Sequence, residues 1–174
     1  MATATEPVTA QGQDGPLDGY AHEHRPLGGY AALSVSFVAG IAAAGLAARR
    51  SGRELPQRPD AWDTVTAGIA THKLSRLIAK DKVTSFLRAP FVRFKETSGH
   101  GEVSEEPRGK GLQLAIGELL GCPYCLGQWV AAAFGVGLVA SPRLTRMIAF
   151  VYTAETIADF LQLAYLASEE RAPG

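Results

Sequence analysis

The stretch that most narrows what this chain can become is residues 119–140, LLGCPYCLGQWVAAAFGVGLVA, which carries no charged residue and holds both cysteines of the 174-residue protein. Pro123 suits the first position of a helix, because its ring fixes φ and its missing N–H would be unpaired there anyway. Cys122 then becomes the cap and Cys125 sits one turn inside. A helix over Pro123–Ala140 rises roughly 27 Å at about 1.5 Å per residue, close to the hydrocarbon thickness of a bilayer. Gly127, Ala131 and Gly135 recur every fourth position, a small-residue stripe against which another helix can pack. Tyr124 and Trp129 suit the headgroup level near its start.

The apolar content of 47% is ordinary, so its clustering carries the information. Residues 30–48 form a second uncharged run, with Ser36, Gly40 and Ala44 as another small stripe. Arg49, Arg50, Arg53 and Arg58 follow and, by the positive-inside rule, set its C-terminal end in the cytoplasm. Residues 147–167 form the third run and contain Glu155 and Asp159, one helical turn apart. Carboxylates in hydrocarbon must face the bundle, pair with a cation or be protonated. Pairing with His72, Lys73 or Arg76 across helices is the structural reading, and proton or cation handling the functional one.

These runs predict an all-α fold, a small integral membrane bundle with about three spanning helices and one amphipathic interfacial helix. Residues 1–28 are poor in large apolar side chains and read as a disordered tail, without the basic start of a signal peptide. Within that tail, His22 and His24 read as solvated. Residues 29–58 hold the first spanning helix and its basic flank, 59–168 the main membrane domain, and 169–174 a C-terminal tail.

Between the first two runs lie the basic segments. Asp60 is a good cap for a helix over Ala61–Lys80, in which Lys73, Arg76 and Lys80 share a face. That charge favours a partly inserted or surface-lying helix. Residues 81–95 keep helical spacing of Val83, Phe86, Leu87, Phe91 and Phe94, with Lys82, Arg88, Arg93 and Lys95 as the polar complement and a break at Pro90. This predicts an interfacial segment held to anionic lipid, or an amphipathic helix on the protein's own core. Residues 96–110 read as a polar loop, His100 included, and 111–120 as a short apolar helix with Glu118. The expected path enters the cytoplasm through the first run, leaves through the cysteine helix and returns, which puts Arg143 and Arg146 outside.

Residues 71–91 (THKLSRLIAKDKVTSFLRAPF) and 119–131 (LLGCPYCLGQWVA), in that order, resemble a bacterial membrane-protein family known as domain of unknown function thirteen-sixty, which includes a sporulation-associated member. The resemblance spans residues 60–167. It maps onto Leu74, Arg76, Leu77, Asp81, Thr84 and Arg88, then onto Cys122, Pro123, Cys125, Gly127 and Trp129. It implies a multi-pass place in the bacterial cytoplasmic membrane and no assigned activity.

A Cys-x-x-Cys at a helix start favours a thiolate at Cys122 and permits a reversible disulfide. No strand pattern precedes it of the kind that carries such motifs in soluble redox proteins. Metal binding through Cys122 and Cys125 needs two further ligands. Two small buried packing residues are the plain reading. The zero net charge argues against nucleic acid, and no phosphate loop, nucleophile elbow or zinc-protease helix occurs. The reading is a non-enzymatic membrane component without cofactor, contacting lipid and a second copy or another membrane protein. Thiol redox chemistry and metal binding are its alternatives.

Overall fold

The computed structural model describes residues 20, 25–55 and 60–171. The rest of the proposed N-terminal tail, with His22 and His24, lies outside the described residues, as does Arg58. Six helices and one hairpin make up the regular structure among the described residues: α1 (Leu27–Arg50), α2 (Ala61–Lys80), α3 (Ser85–Arg88, entered through a 3-10 turn at Lys82–Thr84), β1 (Val92–Ser98), β2 (Glu102–Pro107), α4 (Gly111–Gly121), α5 (Pro123–Ala140) and α6 (Pro142–Glu169). Helix dominates, as expected. α1, α5 and α6 are each long and apolar enough to cross a membrane.

Contacts along the helices fix their directions. At the start of α1 a Cβ on Gly29 would fall 2.7 Å from that of Ala115, and the Tyr30 hydroxyl donates to Glu118 on α4. Midway, the Phe37 and Trp129 rings meet edge to face at 5.1 Å. Beyond the end of α1, Arg53 donates to the carbonyls of Val139 and Ala140 at the end of α5. α1 and α5 therefore run parallel. So do α2 and α6: Arg146 pairs with Asp63 at 2.8 Å, Thr153 Oγ1 donates to the Thr66 carbonyl, and Lys73 meets Asp159 at 2.7 Å. Only Ser141 separates α5 from α6, which turn back on each other.

The chain thus traverses the bundle four times, through α1, α2, α5 and α6. The start of α1, the hairpin, the cysteines and the end of α6 share one end. This corrects the expected path, which set the end of α1 beside the start of α5. α2, expected as a partly inserted or surface-lying helix, packs against α5 and α6. The core is Ala70 and Ala79 of α2, Leu126, Val130 and Phe134 of α5, and Ala149 of α6. Small side chains at Ala70, Ser75 and Ala79 let α2 approach its neighbours closely, and Asp63, Lys73 and Arg76 find partners on other elements.

Residues 81–110 correct the sequence reading a second time. The helical spacing ends at Arg88: Ala89 still has helical backbone angles, but Pro90 has no N–H with which to continue the helix. Phe94, Arg93 and Lys95 then lie on β1, paired antiparallel with β2 from Val92↔Pro107 to Ser98↔Glu102, with an irregularity between Phe94 and Glu96. Gly99 and Gly101 take positive φ of 52° and 86° around His100, a backbone that other residues rarely adopt, and this closes the three-residue turn. The expected loop is a hairpin.

Candidate functional site: a polar cap and a cysteine pair

An α-helix ends with carbonyls that have no partner within the helix. At the end of α2 the chain supplies those partners itself. Thr84 Oγ1 donates to the Leu77 carbonyl at 2.6 Å, and Arg88 donates to the Ile78 carbonyl at 2.5 Å. Arg88 also donates to Thr84 Oγ1 and to the Asp81 carbonyl, and its Nε pairs with Glu105 at 2.5 Å. Its side chain is fully buried and that of Glu105 only 6% exposed. A buried charge is tolerable only when paired and hydrogen-bonded this completely. Arg88, expected to face lipid headgroups, is instead the internal tie between α2 and the hairpin.

Beside this knot lies a cavity of about 470 Å³ between α2, the end of α6 and the hairpin turn. Its polar wall includes Lys73, Arg76, Asp81, His100, Glu102 and Asp159, and Leu163 and Leu166 make it apolar toward the end of α6. Arg76 holds Glu102 through two bonds of 2.6 and 2.9 Å. Lys73 bridges Asp159 at 2.7 Å and Glu155 at 3.4 Å. Lys73 makes the pairing with Glu155 and Asp159 that was one of its expected roles, and Arg76, exposed as a surface cation would be, also ties α2 to the hairpin. Lys82, Arg93 and Lys95 are exposed, and Lys80 is half-buried. Glu102 and Glu105 escaped the sequence reading because the hairpin did. Its signal was present in alternating Val92, Phe94 and Glu96 ahead of Gly-His-Gly.

The small-residue stripe on α5 does not form one packing face. A Cβ on Gly127 would lie 3.8 to 4.0 Å from Thr71 and Ser75 of α2, whereas Gly135 meets nothing and Ala131 is exposed. A four-residue spacing drifts about 40° per step around a helix of 3.6 residues per turn. Gly135 accordingly lines an apolar groove of about 470 Å³ between α1 and α5.

At the start of α5, Cys122 and Cys125 are joined by a disulfide, with Cα atoms 5.3 Å apart. This replaces the expectation of two buried packing residues, for Cys125 is exposed and Cys122 half-buried. Cys122 is the cap residue, and its Sγ accepts the backbone N–H of Cys125 at 3.2 Å. In the disulfide neither sulfur is a thiolate that could ligate a metal, and no group of three or more metal-ligating side chains occurs among the described residues.

The family described as "Protein of unknown function (DUF1360)" matches residues 67–165. The UPF0713 protein YngL of Bacillus subtilis is 31% identical over 99 residues, covering 55% of this chain and 72% of the relative. The sporulation protein YjcA of the same organism is 27% identical over 101 residues, covering 56% of this chain and 86% of the relative. No solved structure matches. The matched region takes in most of α2, the polar cap and the cysteine pair, and leaves α1 outside.

Proposed function

This chain belongs to the family described as protein of unknown function (DUF1360), and from that premise we propose that it is a multi-pass component of a bacterial cytoplasmic membrane. In this reading it performs no catalysis. It contacts lipid, and it associates with a second copy or with another membrane protein.

One observation carries the reading, an inverted polarity. The apolar side chains of the long helices point outward: none of the most apolar stretch of α1 is buried, and Phe150, Val151, Ile157, Phe160 and Leu161 of α6 are exposed. The cation Lys73 points inward to Glu155 and Asp159. Water penalises such an arrangement and lipid favours it. Because α1 and α5 run parallel, a chain crossing through both must return through α2, whose 20 residues rise about 30 Å. The reading therefore adds α2 as a fourth crossing to the three helices that are long and apolar enough to span.

Extraction of native membranes at high salt and alkaline pH tests insertion. The chain is expected to stay in the pellet, and a chain that dissolves and remains monodisperse without detergent overturns the proposal. Reporter groups at residues 25 and 171 are expected on the same membrane face, and opposite faces would overturn the four-crossing path.

A second reading, thiol redox exchange, has its own support. The disulfide joins residues three apart in one helix start and links no two elements. Closing so short a loop removes little freedom from the unfolded chain. Such a bond serves reactivity better than stability. Cycling between disulfide and dithiol with a midpoint near the glutathione range is expected, and a potential below about −300 mV would leave the bond purely structural.

A further inference from the structure

This inference rests on the redox reading just given. We infer that the sulfur attacked when the disulfide opens is Cys125 Sγ and that Cys122 Sγ is the leaving group, the reductant being a dithiol partner.

Access and leaving-group stability point to the same sulfur. Cys125 is exposed, as is the neighbouring Tyr124 at 94%. Cys122 is half-buried where α4 passes into α5. A thiolate must reach the sulfur it attacks, and Cys125 is the more exposed of the two residues. The sulfur that leaves fastest is the one whose thiolate is better stabilised. Cys122 Sγ already receives the N–H of Cys125 at 3.2 Å and sits at the positive end of the α5 dipole.

The step balances as follows. A thiolate of the partner gives its electron pair to a new bond with Cys125 Sγ. The Cys122–Cys125 bond breaks, and its electrons depart on Cys122 as a thiolate. The partner's second thiolate then attacks the partner's own sulfur in the mixed disulfide and releases Cys125 as a thiolate. The partner leaves with a disulfide, oxidised by two electrons, and the cysteine pair is reduced by the same two. This order makes the second cysteine of the motif the entry point.

The test uses the full oxidised chain in detergent micelles, with glutathione as the probe thiol. After brief exposure at neutral pH and quenching in acid, peptide mapping by mass spectrometry locates the adduct. Glutathione is expected on Cys125 over Cys122 by about tenfold or more, since both access and leaving-group effects act in that direction. Adducts mainly on Cys122, or equally on both, overturn the inference while leaving the redox reading in place. No adduct on either sulfur at any glutathione concentration overturns the redox reading, and the inference with it.

Discussion

α1 and α2 both lie against α5, on opposite terms. α1 is apolar nearly throughout, and Gly29 is its one buried residue; α2 carries Asp63, His72, Lys73, Arg76 and Lys80 and sits in the core. In water the more apolar helix goes to the centre. In lipid an apolar helix gains little by leaving its surroundings, whereas a charged one must find partners inside the protein. The arrangement of α1 and α2 follows the second rule. It also separates two kinds of attachment: α1 is held by the Phe37–Trp129 rings, Tyr30 on Glu118 and Arg53 on the end of α5, and α2 by the core and by the ion pairs of Asp63, Lys73 and Arg76.

The sharpest way to break this contrast is at the polar cap. Arg88→Met strands buried Glu105 and the Ile78 carbonyl, and should cost about 3–5 kcal/mol. Thermal unfolding in micelles, followed by circular dichroism, measures it. Adding Glu105→Leu should restore much of the loss, and a single substitution that costs under about 1 kcal/mol would refute the tie between α2 and the hairpin.

Lys73→Met comes next. It leaves Glu155 and Asp159 facing α2 without their cation, but both are nearly half-exposed, so about 1–2 kcal/mol is expected. A double-mutant cycle with Asp159→Asn should show coupling; strict additivity would mean that the pair contributes nothing. On the other side of the comparison, Phe37→Ala should cost about 1 kcal/mol through the lost ring contact. Limited proteolysis should then release α1 while the rest of the bundle stays protected. If α2 and α6 are cleaved at the same rate as α1, the two attachments are not separate. The smallest effect belongs to Asp63→Asn. Arg146 is 58% exposed, so the loss should stay below about 1 kcal/mol and fade as salt is raised, as unfolding at two ionic strengths would show.

Much of the helical content could be read from residue order alone. Pro123 and Pro142 mark the starts of α5 and α6, and Asp60 caps α2 by accepting from Trp62 and Asp63, as its position suggested. The hairpin was misread because Val83, Phe86, Phe91 and Phe94 fit a helical period on either side of Pro90, and over so few residues that period does not separate helix from strand. The candidate site was legible in part. Glu155 and Asp159 called for a cation, and Lys73 was among those considered. Arg88 was not recognisable as buried, because Glu105 lies 17 residues away across a turn. The role of Cys122 as a cap followed from Pro123; the bond to Cys125 was only one of its possible states.

What the chain's order of residues determined by itself was local: helix where apolar runs lie between proline, aspartate and glycine. The tertiary structure alone decided which helix lies inside, which direction each runs and which charge meets which. Those outcomes depend on side chains distant in sequence, such as Arg53 with Ala140 and Lys73 with Asp159, satisfying one another. The reason is physical. Backbone conformation is set largely within a few residues, whereas the penalty on an unpaired buried charge is settled by whichever partner the fold brings within bonding distance.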